Sequence, residues 1–301
     1  MTELRVGVLG PGGVGGLVAG MLARNGAEVT CIASDSTAAI LTTQGLSITS
    51  DRFGTFRQPV RAESALSSPV DVLCVAVKAT TLVDSLDRVT TEMLKEAIVV
   101  PFLNGIEHIA ILRERLAPAQ VVAATIRIES ARISSGEIVQ KSPFATIELA
   151  PRPGEGDRVS EFAKLLSQAN FDVTERDNEN AILWEKLSFL APLALLTTAY
   201  DIPAGRVRTE HRRELEDVIA EVALAARNEG VAIDTAKVLA QFDSVPESMQ
   251  SSMQRDAASG QPIEIEAIGG AVVRAALKSS IEVPTIGRLV NQLREYAPDA
   301  T

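Results

Sequence analysis

Cysteine and histidine are scarce in this chain, with two of each among 301 residues. Cys31 and Cys74 each sit inside an apolar run and read as small core residues of a reducing compartment, so no disulfide framework is expected. Basic residues are also in the minority. The 29 Lys and Arg against 39 Asp and Glu leave a formal net charge of −10, and the basic groups are scattered. That excludes a nucleic-acid partner, whose phosphates require clustered cations. No stretch reaches 18 uninterrupted apolar residues, which argues against a membrane span. The start, Met-Thr-Glu-Leu-Arg, lacks the basic, apolar and cleavage-site order of a secretory leader, and a cytoplasmic protein is expected. No internal repeat, low-complexity segment or metal site is expected either.

What is present begins with a short apolar strand, Arg5–Leu9, running into Gly10-Pro11-Gly12-Gly13-Val14-Gly15 and then a helix. This is the order of a dinucleotide-binding turn. Gly10 permits the tight turn, Gly12 lets the backbone approach a pyrophosphate, and Gly15 lets the helix pack on the strand. The opening N–H groups of that helix, and the positive end of its dipole, then face the phosphates. A side chain at Gly12 is expected to displace the pyrophosphate and to strain a turn with unusual dihedrals. Glycine-rich turns also serve plain packing, and here the strand before and the helix after favour the nucleotide.

From residue 1 to about 177, β-rich runs alternate with helical stretches, the pattern of a parallel sheet covered by helices. The strands expected are 5–9, 28–33, 71–77, 97–103 and 121–126, then a hairpin through 138–150 and a late run at 171–175. After Asp177 the β signal ends, and amphipathic helices are expected at about 178–198, 211–229, 234–242, 246–258, 263–278 and 284–296. The breaks Ile202-Pro203-Ala204-Gly205 and Gly260-Gln261-Pro262 read as loops. The division expected is a dinucleotide-binding domain at 1–177 and a helical substrate and dimerisation domain at 178–301. An exposed apolar face on the helices after residue 206 would serve a homodimer.

Two positions bear on chemistry. The second strand ends Cys31-Ile32-Ala33-Ser34-Asp35, where Ser34 offers a hydrogen bond to a 2′-phosphate, while Asp35 either takes a ribose hydroxyl or caps the next helix. NADP and NAD both remain open there. A nicotinamide reduction of a carbonyl also needs a proton donor. His108 lies in a helix that begins after Asn104-Gly105 and His211 lies in a charged run, and both read as structural. Lys186, between Ile182-Leu183-Trp184-Glu185 and Leu187-Ser188-Phe189-Leu190, places a cation in the most apolar helical stretch. Such a lysine either snorkels to water or is kept for chemistry.

Gly10-Pro11-Gly12-Gly13-Val14-Gly15, Val75-Ala76-Val77-Lys78-Ala79, Asn104-Gly105, Leu183-Trp184-Glu185-Lys186-Leu187, Glu264 and Gly269-Gly270 follow one another in a familiar order and approximate spacing. By these residues the chain resembles the ketopantoate reductases (2-dehydropantoate 2-reductases) over nearly its whole length. The resemblance implies a Rossmann-type doubly wound α/β sheet followed by an all-helical domain. It implies reduction of a 2-oxo acid to a 2-hydroxy acid with NADPH, NADH being an alternative, and a place in pantothenate biosynthesis. On the cofactor side it puts Gly10, Pro11, Gly12, Gly13, Val14, Gly15, Ser34, Lys78, Asn104 and Glu264. It makes Lys186 the proton donor, gives Glu264 the task of binding cofactor or orienting Lys186, and sets Asn104, Lys186, Leu190, Ala194 and Ser252 around the substrate. The family shows asparagines where this chain has Leu190, Ala194 and Ala204, and a basic residue where it has Ser34. Aliphatic groups at those places imply a less polar oxo acid, because a site built to hydrogen-bond a hydroxyl discriminates by its paired groups. A reader of nucleotides that has lost its chemistry is the other reading these departures leave open.

Overall fold

In the computed structural model, residues 4–295 are described, apart from Glu96 and Glu155. The strands in chain order are β1 (Arg5–Leu9), β2 (Glu28–Ile32), β3 (Leu46–Ser50), β4 (Gly54–Gln58), β5 (Arg61–Glu63), β6 (Val72–Val75), β7 (Ile98–Pro101), β8 (Gln120–Val121), β9 (Ala123–Arg127), β10 (Ser130–Ser134), β11 (Glu137–Gln140), β12 (Thr146–Ala150) and β13 (Asp172–Glu175). Among them run α1 (Gly13–Arg24), α2 (Asp35–Gln44), α3 (Leu82–Leu86), α4 (His108–Arg115) and α5 (Gly156–Gln168). The chain continues through α6 (Glu179–Tyr200), α7 (Ala204–Glu210), α8 (Arg212–Asn228), α9 (Thr235–Ser244), α10 (Ser252–Ala258), α11 (Ala271–Lys278) and α12 (Pro284–Arg294).

Contacts divide the chain into two units, Met1–Leu103 with His108–Ile182, and Asn104–Glu107 with Leu183–Thr301. The start of α6, through Ile182, groups with the first unit, and the short Asn104–Glu107 turn packs with the helical residues.

In the first unit a six-stranded sheet runs in the order β5-β2-β1-β6-β7-β8, every pair parallel. Strands of a parallel sheet are buried on both faces, which is why β6 and β7 are unbroken apolar runs with every residue buried. The chain adds β2 on one side of β1 and β6 on the other. The order thus reverses at β1, the place where open α/β sheets bind ligands. Cys31 and Cys74 lie opposite Val8 on either side, two strand spacings apart and roughly 9–10 Å from each other, too far for a disulfide. Burial pushes the Cys31 thiol up to about 12, and Cys74 is raised as well.

Several expectations about this unit fail for a nonlocal reason. The run 121–126 breaks at Val122, and its pieces join different sheets: β8 extends the parallel sheet while β9 pairs antiparallel with β12. The hairpin lies earlier than 138–150, between β10 and β11, turning at Gly136 with φ +80. β12 instead takes β9 and β13 as neighbours. Strands β3, β4 and β5 were not expected; β3 and β4 pair with each other, and β3 joins β11 in a second, four-stranded sheet.

The second unit is helical as expected, with altered boundaries. α6 is long and apolar enough to cross a bilayer by length and composition, yet most of it is buried inside the protein as a core helix. Pro192 lies within it without ending it. The supposed loop 202–205 starts α7, with Pro203 at the N-cap. Residues 246–250 are not helical, and α10 opens only after Ser251, whose hydroxyl accepts the Gln254 N–H. The stretch 263–278 is interrupted by a π-helical turn, Glu266–Gly270, ahead of α11. There a Cβ on Gly269 would lie 2.5 Å from Val290 Cγ2 and 2.9 Å from Leu195 Cδ2, so only glycine lets the turn pack this closely. Buried Glu221 on α8 accepts the N–H groups of Thr285 and Ile286, each at 2.8 Å, and so caps α12.

The burial of both cysteines predicts their reactivity. Ellman's reagent should detect no thiol in the folded protein and two after denaturation, since the thiolate is the reacting form. A fast-reacting thiol in the folded protein would contradict these positions.

Candidate functional site

The glycine turn after β1 is built by contacts that leave no room for a Cβ at Gly10, Gly13 or Gly15. Gly10 follows β1 with φ +85, and a Cβ there would meet Val77 Cγ1 at 2.5 Å and Val77 N at 2.9 Å. The turns after β1 and β6 thus touch at the point where the strand order reverses. A Cβ on Gly15 would fall 2.3 Å from the Gly10 carbonyl oxygen, and one on Gly13 would fall 2.5 Å from that of Ser130. Ser130 Oγ in turn donates to the Gly13 carbonyl at 2.7 Å. Helix α1 opens with no side-chain cap and no acidic residue in its first turn, so its first N–H groups and its dipole are left for an anion.

Gly12 differs from its neighbours. It is the N-cap, with φ −80, and a Cβ there would find only the Gly10 carbonyl oxygen, 4.0 Å away. The expected strain at this glycine is absent, because its φ is one that any residue adopts. The space beside Gly12 is a cradle that a side chain would fill, and nothing in the protein's own packing calls for glycine there. The donor set and the open cradle fit a dinucleotide pyrophosphate. Pro11 and Val14 complete this turn.

Two further residues of the expected cofactor side lie in the same unit. Ser34, rather than Asp35, is the N-cap of α2; its Oγ accepts the Thr37 N–H at 3.4 Å, and Asp35 becomes the first helical residue. Ser34, Asp35 and Ser36 are all exposed there. Lys78 is exposed just beyond Val77 and starts a short 3₁₀ turn, Ala79–Thr81, whose Thr81 N–H and hydroxyl both bond the Lys78 carbonyl.

In the helical unit the structure joins two residues 160 positions apart. Asn104 Nδ2 donates to Glu264 Oε2 at 2.9 Å, and Glu264 is only 7% exposed. Glu264 directly precedes the helical segment rather than lying in its first turn. Beside the pair, Gly105 has φ +85 and a Cβ position 2.2 Å from the Ala267 carbonyl oxygen. Lys186 is half-buried on α6, and Leu190, Ala194 and Thr197 follow it at helical spacing on one stripe.

Exposure falls along that stripe: Leu190 is half-buried, whereas Ala194 and Thr197 have no exposed surface. Ala204 is equally closed off, its N–H donating to the Met249 carbonyl at 2.9 Å. Of the three aliphatic residues expected near the substrate, Leu190 keeps a partly exposed side chain, whereas core packing covers Ala194 and Ala204. Ser252 is exposed at the start of α10. Thr197 and Ser251, linked through their hydroxyls at 2.8 Å, tie the far end of the stripe to that start. His211 stacks on Tyr200, with ring centroids 3.7 Å apart, and lies 3.5 Å from Glu214, while His108 is buried at the start of α4.

Sequence reasoning passed over three residues near Asn104 and Glu264, namely Glu107, Glu266 and Arg274. The Arg274 guanidinium pairs with both carboxylates, and Arg294, foremost, and Arg274 hold the Glu266 carboxyl below the usual range. No periodicity links residues 107 and 274; the acid shortly after Asn104-Gly105 was the one local signal. Among the described residues, no group of three His, Cys, Asp or Glu is placed to hold a metal ion.

Residues 6–154 match the family model for ketopantoate reductase PanE/ApbA, and residues 178–297 match the model for its C-terminal part. Over 295 residues the chain is 29% identical to an uncharacterized oxidoreductase, YkpB, of Bacillus subtilis strain 168, covering 96% of this chain and 97% of that one. It is 27% identical over 298 residues to a 2-dehydropantoate 2-reductase of Halobacterium salinarum, covering 97% and 98%. The crystal structure of a PanE/ApbA family ketopantoate reductase from Ralstonia eutropha JMP134 superposes with a TM-score of 0.88 at 27% identity, covering 97% of this chain and 98% of that one.

The glycines predict separable effects. Gly12→Ala should fold normally and weaken nucleotide binding in calorimetric titration, because the protein's own packing leaves its Cβ space open. Gly15→Ala should lower the stability itself, by about 1–3 kcal/mol, through the clash with Gly10. Undiminished nucleotide affinity in folded Gly12→Ala would contradict this site.

Proposed function

The chain belongs to the ketopantoate reductase family, and from that premise we propose that it reduces a 2-oxo acid to the 2-hydroxy acid, with Lys186 as proton donor. The observation that carries the reading is the buried Glu264 carboxylate held on the Asn104 amide, in the same unit as Lys186. The nicotinamide nucleotide, when bound, supplies the hydride. The turn from Gly10 through Gly15, with Pro11, Gly13 and Val14, binds its pyrophosphate through backbone N–H groups, and Lys78 adds a cation after β6. Ser34 and its neighbouring hydroxyls face the adenosine ribose, where NADPH is the proposed donor. The exposed carboxylate of Asp35 keeps NADH as an alternative.

Lys186 holds a proton at Nζ and delivers it to the substrate oxygen as negative charge develops there. Glu264 fixes the Asn104 side-chain amide, whose orientation toward substrate and nicotinamide ribose is then set, and orients the Lys186 ammonium. The Ser252 hydroxyl, at the exposed start of α10, contacts the substrate. Leu190, one turn beyond Lys186, sets an apolar wall and favours a substrate with a less polar chain than ketopantoate. The two buried thiols agree with a cytoplasmic setting, and exposed Leu224 and Leu277 on α8 and α11 offer the helical unit an apolar surface for a homodimer.

Lys186→Ala should lower kcat by about 10²-fold or more, the range of a general acid, while nucleotide affinity is kept. Normal turnover in that variant would overturn the assignment. Leu190→Asn should shift the kcat/KM ratio toward ketopantoate over an unsubstituted alkyl 2-oxo acid by about tenfold. Ala194→Asn should instead cost about 1–3 kcal/mol of stability, since it forces an amide into a closed core. An unchanged ratio in Leu190→Asn would remove Leu190 from the substrate pocket.

A further inference from the structure

Gly270 and the acid at Glu107 have no task in the chemistry above, and the helical unit connects them. A Cβ on Gly270 would lie 2.5 Å from Glu266 Oε2 and 2.9 Å from Arg274 Nη1, so this glycine is the floor on which that pair rests. Arg274 uses all of its nitrogens. Its Nε donates to Glu107 Oε1 at 2.9 Å and its Nη2 to Glu107 Oε2 at 2.6 Å. Its Nη1 donates to Glu266 Oε2 at 2.7 Å, and Nη2 also reaches the Glu266 backbone carbonyl at 2.6 Å. Arg294 grips Glu266 from the other side, at 2.6 and 3.1 Å.

The turn Asn104–Glu107 is therefore attached at three places to the segment 264–274. Asn104 bonds Glu264, Gly105 lies against the Ala267 carbonyl, and Glu107 is held by the fork of Arg274. A bidentate guanidinium fixes a carboxylate in direction as well as distance, which an ammonium does not. The side chains of Arg274 and Glu107 are 39% and 38% exposed, so screening leaves the pair little weight in overall stability. Its effect is geometric.

Resting on the proposed roles of Asn104 and Glu264, we propose that Arg274 is a positioning residue for the reduction: through Glu107 it holds the turn that presents the Asn104 amide to Glu264. Arg274 touches neither substrate nor cofactor in this role, and the Glu266–Arg294 pair keeps its guanidinium aimed at Glu107.

The test is a double-mutant cycle of Arg274→Gln with Asn104→Ala, read by kcat and KM for the 2-oxo acid and, independently of turnover, by amide hydrogen exchange over residues 104–107. Arg274→Gln should lower kcat by about 10- to 100-fold, the scale of a small misplacement of a positioned group, with the melting temperature nearly unchanged and faster exchange confined to the turn. In the Asn104→Ala background the same substitution should add less than about twofold, because coupled residues are not additive. Glu107→Gln should repeat the pattern from the other partner, and Arg274→Lys should recover only part of the loss. A full Arg274→Gln effect in the Asn104→Ala background, or unchanged exchange at 104–107, overturns the proposal. A normal kcat in Asn104→Ala alone overturns it as well, but that result is seen in the single variant and marks the failure of the underlying reading of Asn104.

Discussion

Helix α1 can rest against the end of β1 only because residue 15 has no side chain: its Cβ would sit 2.3 Å from the Gly10 carbonyl oxygen. A gap opened there by even one methyl group would push the helix N-terminus away from the point where the strand order reverses. The uncapped N–H groups of α1 and the open space beside Gly12 are set at that point by this approach, next to the contact of Gly10 with Val77 that the β1–β6 pairing makes. Packing thus decides where an anion can be bound before any polar residue is considered. The charge that favours it comes from the helix backbone rather than from a cluster of cations.

The helical unit repeats the device with different atoms. Gly105, Gly269 and Gly270 each have a Cβ position closer than 3 Å to another group. Two of those groups, the Ala267 carbonyl and the Glu266 carboxylate, belong to the π-helical turn that follows Glu264 and to its flanking ion pairs. π turns recur at functional sites because they re-aim side chains without ending a helix. Here the turn coincides with a buried carboxylate and a half-buried amide held in one hydrogen bond. A buried carboxylate without such a donor would bear the whole desolvation cost.

What the sequence made legible was local. β1 and its glycine turn stand out because strand period, turn residues and helix start are all contained in one short stretch, and β6 and β7 because burial on both faces writes them as continuous apolar runs. β4 and β5 escaped notice because they are short and partly exposed, β5 having no alternating apolar residue, whereas β3 does alternate, with Leu46 and Ile48 buried, and was passed over. The hairpin was misplaced because strand partners are chosen by the whole sheet: β12 prefers β9 and β13 to the chain beside it. Pro203 reads as a break but serves as a helix N-cap, for which its fixed φ is suited. Of the residues around Asn104, Glu264 was visible only through resemblance and Arg274 not at all, since both lie far along the chain. The closing of the core over Ala194 and Ala204 was not visible at all, because aliphatic residues on a helix stripe look alike whether they line a pocket or fill it.

The account stands or falls on whether the nucleotide turn and the Lys186 helix serve one reaction. The measurement that tests this most directly is the rate of absorbance loss at 340 nm from NADPH, and separately from NADH, across a panel of 2-oxo acids, with 3-oxo acids and simple aldehydes as controls. The account predicts turnover confined to 2-oxo acids, faster for unsubstituted alkyl or aryl chains than for ketopantoate. Tight nucleotide binding without turnover of any 2-oxo acid would contradict it and identify a protein that reads nucleotides without reducing a substrate.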